Sequence, residues 1–298
     1  MKGHSPAIAF AVATLGIALF SGMDAFMKGL ALSIGTYNAL LWRTLAGGVL
    51  GAAIFYGTGR KFPARSVLHL HVRRGILSAI MGFLFFWGLA RVPLAQGIAL
   101  SFVAPIIALY LAALLLKERI THRAVLASLL GFSGVVVILA GQARADLGQE
   151  AFLGAIAILA SAFLYAYNII LMRQQALVAG PIEVAFFMSL VTTGCFLVAA
   201  PFLAELPPPG ELPAIFAAAL LAFCSLMLLT WAYARAEAQH LAPVEYTAFI
   251  WAALYGLLFF DEAVRPLTLV GAAMIVAACL AAVRGRPPTG DIETGVHP

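Results

Sequence analysis

The sequence predicts an all-α polytopic membrane protein, with ten transmembrane helices in two inverted-topology five-helix repeats and both termini in the cytoplasm. Three observations predict it. The composition is that of a chain dissolved in lipid, the basic residues gather on one side of the apolar runs, and the chain partly matches itself under a shift of about half its length.

Of the 298 residues, 63% are hydrophobic and only 10% are charged, and the mean hydropathy is +1.00. A soluble domain is roughly 45–50% apolar and about 25% charged, so a water-soluble monomer is excluded. The three cysteines, Cys195, Cys224 and Cys279, lie in apolar runs and offer neither a disulfide framework nor zinc-ligand spacing. A net charge of +5 would suggest nucleic acid in a soluble protein. Here the basic residues sit in short loops, where they set topology, and no nucleic-acid partner is expected.

The apolar runs fall at 6–32, 36–57, 73–91, 94–116, 121–141, 151–174, 181–204, 211–235, 240–260 and 265–284. Each is long enough to cross a hydrocarbon core of about 30 Å as a helix. Lipid offers the backbone no hydrogen bonds and the runs lack a barrel's alternation, so they are read as helices. The first run far exceeds a signal-peptide core of about 7–15 residues and carries Asp24 and Lys28, so it is read as a retained span. With the N-terminus inside, Lys28, Arg91, Arg144 and Arg265 face outward and Arg43 lies within the second span; the other 13 of the 18 Lys and Arg face inward.

A shift of 144 lays Trp87-Gly88-Leu89-Ala90-Arg91 on Trp231-Ala232-Tyr233-Ala234-Arg235 and Glu118 on Glu262. With one more residue, Met27-Lys28 falls on Met172-Arg173. Residues 1–141 and 151–284 are therefore read as two copies joined by a linker at 142–150, with 285–298 as a cytoplasmic tail for which no order is expected. Five spans is an odd number, so the copies are inverted, an arrangement that gives a carrier two related conformations, each open to one side.

In the order and spacing of its motifs the chain resembles EamA-type transporters of the drug/metabolite transporter superfamily over nearly its whole length. The matching features are ten spans as five plus five, Pro105 in span 4, Lys117-Glu118-Arg119 closing it, Gly131 and Gly134 in span 5, Ala242-Pro243 opening span 9 and Asp261-Glu262 closing it. Phe249 in place of Pro105, and Ala127 in place of Gly271, depart from an exact duplication. The resemblance implies an inner-membrane carrier for amino acids or small metabolites, with an aromatic amino-acid exporter subgroup as one placement. It also implies a central cavity lined by spans 1, 3, 4, 6, 8 and 9.

Ionisable groups within a span are costly and are candidates for function. Asp24 lies about 10 Å below the outer end of span 1; it either binds a substrate ammonium or a proton, or pairs with Lys28 one turn on. Glu245 in span 9 has no charged residue three or four positions away and follows Pro243; it either binds substrate or a proton, or pairs with a residue on another helix. Ser161, Tyr165, Asn168 and Met172 share one face of span 6, which either lines the cavity or bonds a neighbouring helix. Ser101 with Pro105, Ala108 and Ala112 matches Glu245 with Phe249, Ala252 and Gly256; these stripes either pack tightly or leave room for substrate. Trp87 and Trp231 are interfacial anchors or stacking surfaces. Arg43 could bind a carboxylate or snorkel, Glu118 and Glu262 read as contacts at helix ends, and His240 as an interfacial residue. No Walker A loop, HExxH or GxSxG is present, so neither an enzyme nor a cofactor is expected. The reading is a secondary transporter exporting amino acids, aromatic first, or similar small metabolites across the bacterial inner membrane by alternating access, with protons as a coupling candidate, as a monomer or homodimer. An uptake carrier and a channel-like facilitator are the alternatives.

Overall fold

The structure, a computed structural model, describes residues 6–104, 106–107, 110–111, 122–144, 148–176, 178–233, 244 and 246–284. All regular structure among them is helical. The helices are α1 (Pro6–Ser33), α2 (Thr36–Gly57), α3 (Arg65–Leu89), α4 (Leu94–Ser101), α5 (His122–Arg144), α6 (Gly148–Ala176), α7 (Pro181–Leu197), α8 (Leu212–Tyr233), α9 (Thr247–Phe260) and α10 (Pro266–Arg284), with single turns at Ala200–Leu203 and Pro209–Glu211. Ile8–Ser33, Thr36–Gly57, Arg65–Leu89, Gly148–Met172 and Pro209–Ala232 are long and apolar enough to cross a membrane. Leu129–Gly141, Pro181–Leu197, Thr247–Phe260 and Pro266–Ala278 are apolar but shorter.

The junctions follow from local chemistry. Gly35 takes φ +78° between α1 and α2, a conformation that glycine adopts without steric cost. Pro93, Pro181 and Pro266 stand at the starts of α4, α7 and α10, where a missing N–H costs nothing. Asp261, left-handed at φ 54°, ends α9, and the Glu262 amide returns to the Gly256 carbonyl at 3.0 Å.

Two elements differ from expectation. Helix α3 begins at Arg65, eight residues before the expected 73, so His71 lies inside the helix instead of before it, and Arg73 and Arg74 lie more than two turns in instead of at its first residues. No glycine or proline interrupts residues 65–74, and the charges there are taken up by neighbouring helices. In the expected run 94–116, the helix ends at Ser101; the Phe102 and Val103 amides bond three residues back, to Ala99 and Leu100, at 3.2 and 3.3 Å. This tightens the chain ahead of Pro105, which lies outside the described residues.

The main packing pairs are α1 with α8 and α9, α2 with α7 and α8, α3 with α6 and α7, α4 with α6 and α9, and α5 with α10. Close approach comes from glycine. A Cβ on Gly88 of α3 would stand 2.4 Å from the Gly154 carbonyl oxygen of α6, and one on Gly134 of α5 would stand 2.7 Å from that of Gly271 on α10.

Several contacts occur at positions related by the shift seen in the sequence. Ser161 donates to the Met81 carbonyl at 2.9 Å, and Ser225 donates to the Gly16 carbonyl at 2.8 Å. A shift of 144 takes Met81 to Ser225, and 145 takes Gly16 to Ser161. Gly131 faces Ala278 while Gly134 faces Ile275, and 144 exchanges these two pairs. The Phe102 and Tyr246 rings, 144 apart in sequence, meet edge to face at 5.3 Å.

Candidate functional site

The most exposed question in the core is a set of polar atoms without partners. Asp24 and Ser21, one turn apart on α1, are 2% and 1% exposed. Asp24 Oδ1, Ser21 Oγ and Arg43 Nε of α2 are all sealed from solvent and have no hydrogen-bond partner among the described residues. Asp24 and Arg43 are an acid and a base on successive helices, yet no ion pair within 4.0 Å joins them. A buried charge left unpaired costs several kcal/mol. Such an acid and base can be satisfied together by a ligand carrying the opposite two charges.

Alongside α1 runs an aromatic ladder on α9. Trp251 and Tyr255 stack at 6.3 Å, and Phe259 follows at 6.0 Å from Tyr255. The Tyr255 hydroxyl lies 3.5 Å from the Ala18 carbonyl, its ring is 3.7 Å from where a Gly22 Cβ would stand, and Trp251 Nε1 is another sealed donor without a partner. Aromatic surface thus lies beside the level of Ser21 on α1.

Lys28, one turn beyond Asp24, does not turn back to it. Its ammonium pairs with Glu262 Oε1, donates to the Val92 carbonyl at 2.7 Å and lies 5.1 Å from the centre of the Phe260 ring. Glu262 Oε2 accepts the Leu94 amide at 2.7 Å, capping α4. Nearby, the Arg91 guanidinium covers the Trp87 ring at 3.6 Å and bonds Glu150 at 2.8 Å.

A second polar cluster joins α3, α6 and α7. Arg74 Nε donates to Asn168 at 3.2 Å, and Nη1 donates to Gln175 Oε1. The Gln175 amide donates to His71 Nδ1 at 2.5 Å, and His71 Nε2 meets Glu183 at 3.0 Å. Arginine only donates, so it holds the Gln175 oxygen on its own side. The amide nitrogen must then face His71, Nδ1 must accept, and the proton rests on Nε2, facing the carboxylate.

The predicted face of α6 therefore meets α3. Ser161 bonds the α3 backbone, Asn168 holds Arg74, and Tyr165, half-buried, acts electrostatically on the same arginine. Ser101 bonds back to the Gly97 carbonyl of its own helix at 3.1 Å. Phe249 packs on the main core, and Trp231 packs beside Ala13 and Ile17 of α1. Glu245, Glu118, His240 and Pro243, and the Arg173 side chain, lie outside the described residues. Sequence reasoning passed over Ser21, Trp251, Tyr255, Arg74 and Gln175; only the in-span position of Ser21 and the four-residue spacing of Trp251, Tyr255 and Phe259 could have signalled them. No group of three or more His, Cys, Asp or Glu suited to a metal occurs among the described residues.

The EamA-like transporter family model matches residues 7–140 and again 152–284. The chain belongs to the EamA-like transporter family. It is a multi-pass membrane protein, and its relatives are named as carriers of small molecules. It is 28% identical to the pseudopaline exporter CntI of Pseudomonas aeruginosa, over 92% of this chain and 95% of that one. It is 25% identical to an S-adenosylmethionine uptake transporter of Rickettsia bellii, over 89% and 90%, and 31% identical to a riboflavin transporter of Rhizobium johnstonii, over 72% and 70%. A solved crystal structure superposes with a TM-score of 0.63 at 22% identity, covering 93% of this family member and 98% of that chain, which shows the fold.

Proposed function

We propose that this protein is a secondary transporter that exports amino acids, aromatic ones first, or similar zwitterionic metabolites, across the bacterial inner membrane by alternating access. The observation that carries the reading is the Asp24 and Arg43 pair: a buried acid and a half-buried base on successive helices, with Asp24 Oδ1 and Arg43 Nε sealed from solvent and no ion pair between them. An α-amino acid between them places its ammonium on Asp24 and its carboxylate on Arg43, with Ser21 as a further partner. A charge-assisted bond to each end supplies the orientation. The Trp251 and Tyr255 ladder beside α1 favours an aromatic side chain.

The two-copy architecture belongs to the same proposal. Ten spans, with both termini inside and 1–141 inverted relative to 151–284, fit the 13 inward-facing basic residues and the exchanged contacts of Ser161 and Ser225. Inverted copies supply the two access states. Protons are the coupling candidate, through Asp24 or Glu245.

A relative named for exporting pseudopaline and others named for taking up S-adenosylmethionine carry the direction both ways, so uptake is the second reading. The test is counterflow of radiolabelled amino acids and metabolites in proteoliposomes sorted by orientation, with and without an imposed pH gradient. Saturable exchange of aromatic amino acids is expected. Flux of no amino acid, or flux without counterflow, would sink the reading. Transport by Asp24→Asn and Glu245→Gln at full rate with an unchanged pH profile would sink proton coupling through these two acids.

A further inference from the structure

Asp24 and Lys28 stand four residues apart on one side of α1, and their electrostatic environments are opposite. Asp24 Oδ1 has no partner. Lys28 is fully committed: its ammonium, 3% exposed, holds Glu262, the Val92 carbonyl and the face of Phe260, while the other Glu262 oxygen holds the Leu94 amide. One ion pair thereby ties the far end of α1 to the α3–α4 connection and to the α9–α10 connection. It joins the chain's first half to its second.

The position of this pair gives it consequence. Four residues of helix rise about 6 Å, so Lys28 sits directly outward of Asp24 in the topology with the N-terminus inside. A ligand leaving Asp24 along α1 toward the outer face meets this ion pair. The sequence also duplicates the pair as a pair: a shift of 145 takes Lys28 to Arg173, and 144 takes Glu262 to Glu118, again one cation and one acid, again one from each half. The Ser161 and Ser225 bonds fix the same two shifts independently, 145 for α1 on α6 and 144 for α3 on α8.

We propose that Lys28 and Glu262 form the outer latch of the carrier, closed in this structure, whose opening separates the α1 end from the α9–α10 connection and uncovers the Asp24 level to the outside. This rests on the alternating-access reading above, but not on the identity of the substrate. Lys28 supplies a buried charge that is satisfied only while the α1 end and the two connections stay together. Glu262 does so from a part-exposed position, at 22% side-chain accessibility, so water can reach the acid first and compete for it.

The test uses the full chain in lipid nanodiscs, with its native cysteines replaced and spin labels at Ser33→Cys and Ala263→Cys, both exposed positions flanking the latch. Pulsed dipolar spectroscopy then reads the separation of the α1 end from the α9–α10 connection. Lys28→Met and Glu262→Gln are each expected to raise the fraction at the longer separation about fivefold or more, and the double variant no further than the larger single effect, because both act on one contact. Glu262→Gln keeps the side-chain shape and an acceptor for Leu94, so it decides the matter should Lys28→Met fail to fold. An unchanged distance distribution in the folded variants overturns the proposal. So does a lower melting temperature at unchanged separation, which marks a static brace. A parent protein that moves no amino acid, while its variants still widen, leaves the latch standing and removes the proposed substrate.

Discussion

Replacing Asp24 by Asn removes the group that can carry a negative charge and changes almost nothing in shape. In the proposed site that charge meets the substrate ammonium, and a hydrogen bond to a charged group contributes about 1.5–3 kcal/mol. The loss is therefore about 10- to 150-fold in Kd. The stability of the empty protein rises or stays level, because a carboxyl group whose Oδ1 has no partner is replaced by a neutral amide of the same shape. Equilibrium binding of phenylalanine to purified protein, set against binding of its deaminated analogue 3-phenylpropanoate, isolates the contact. Wild type is expected to discriminate against the analogue by the factor above, and Asp24→Asn is expected to lose most of that discrimination. If the penalty for removing the ammonium stays the same in both proteins, Asp24 does not hold it and the site is misplaced. A clear drop in melting temperature for Asp24→Asn would also count against the reasoning, because it would mean that the carboxylate has a native partner.

Three further outcomes are expected. Gly134→Ala places a Cβ 2.7 Å from the Gly271 carbonyl oxygen and 2.8 Å from Ile275 Cγ1, and overpacking against backbone costs about 1–3 kcal/mol, read as a lower melting temperature in detergent. Asn168→Leu leaves Arg74 Nε without its acceptor and costs about 1–3 kcal/mol; unchanged thermal stability would mean that the arginine is held by its other contacts alone. Glu118→Gln, at the position the shift assigns to Glu262, is expected to lower the longer-separation fraction between labels at 33 and 263, opposite in sign to Glu262→Gln, and a change of the same sign refutes exchange between the halves.

The helices were legible because each apolar run is long and ends at glycine, proline or charge, and lipid leaves the backbone no alternative. The same rule failed at α3. Charge was read as a boundary, but the helix continues for eight residues before Arg73, and His71 and Arg74 are satisfied by Gln175, Asn168 and Glu183 from α6 and α7. A one-dimensional pattern shows a residue's neighbours three and four positions away and nothing of a helix that arrives a hundred residues later. Lys28 makes the point most sharply. Asp24 lies one turn away, yet the partner chosen is 234 residues distant, because the left-handed turn at Asp261 delivers Glu262 to the end of α1. The sequence did hold a trace of that contact in the parallel placement of Lys28 with Arg173 and Glu262 with Glu118, visible only when the duplication is treated as a statement about pairs.

Consider last the meeting of Phe102 and Tyr246. The shift of 144 turns this contact into itself. If two inverted halves trade conformations, a contact between unrelated positions takes on the geometry of its counterpart, but a self-related contact has no counterpart to become. On the proposed alternating-access cycle, its 5.3 Å separation is expected to be the same at both ends. In that proposal the aromatic pair is the fulcrum of a see-saw, and a probe placed there is expected to stay silent while probes at either face swing.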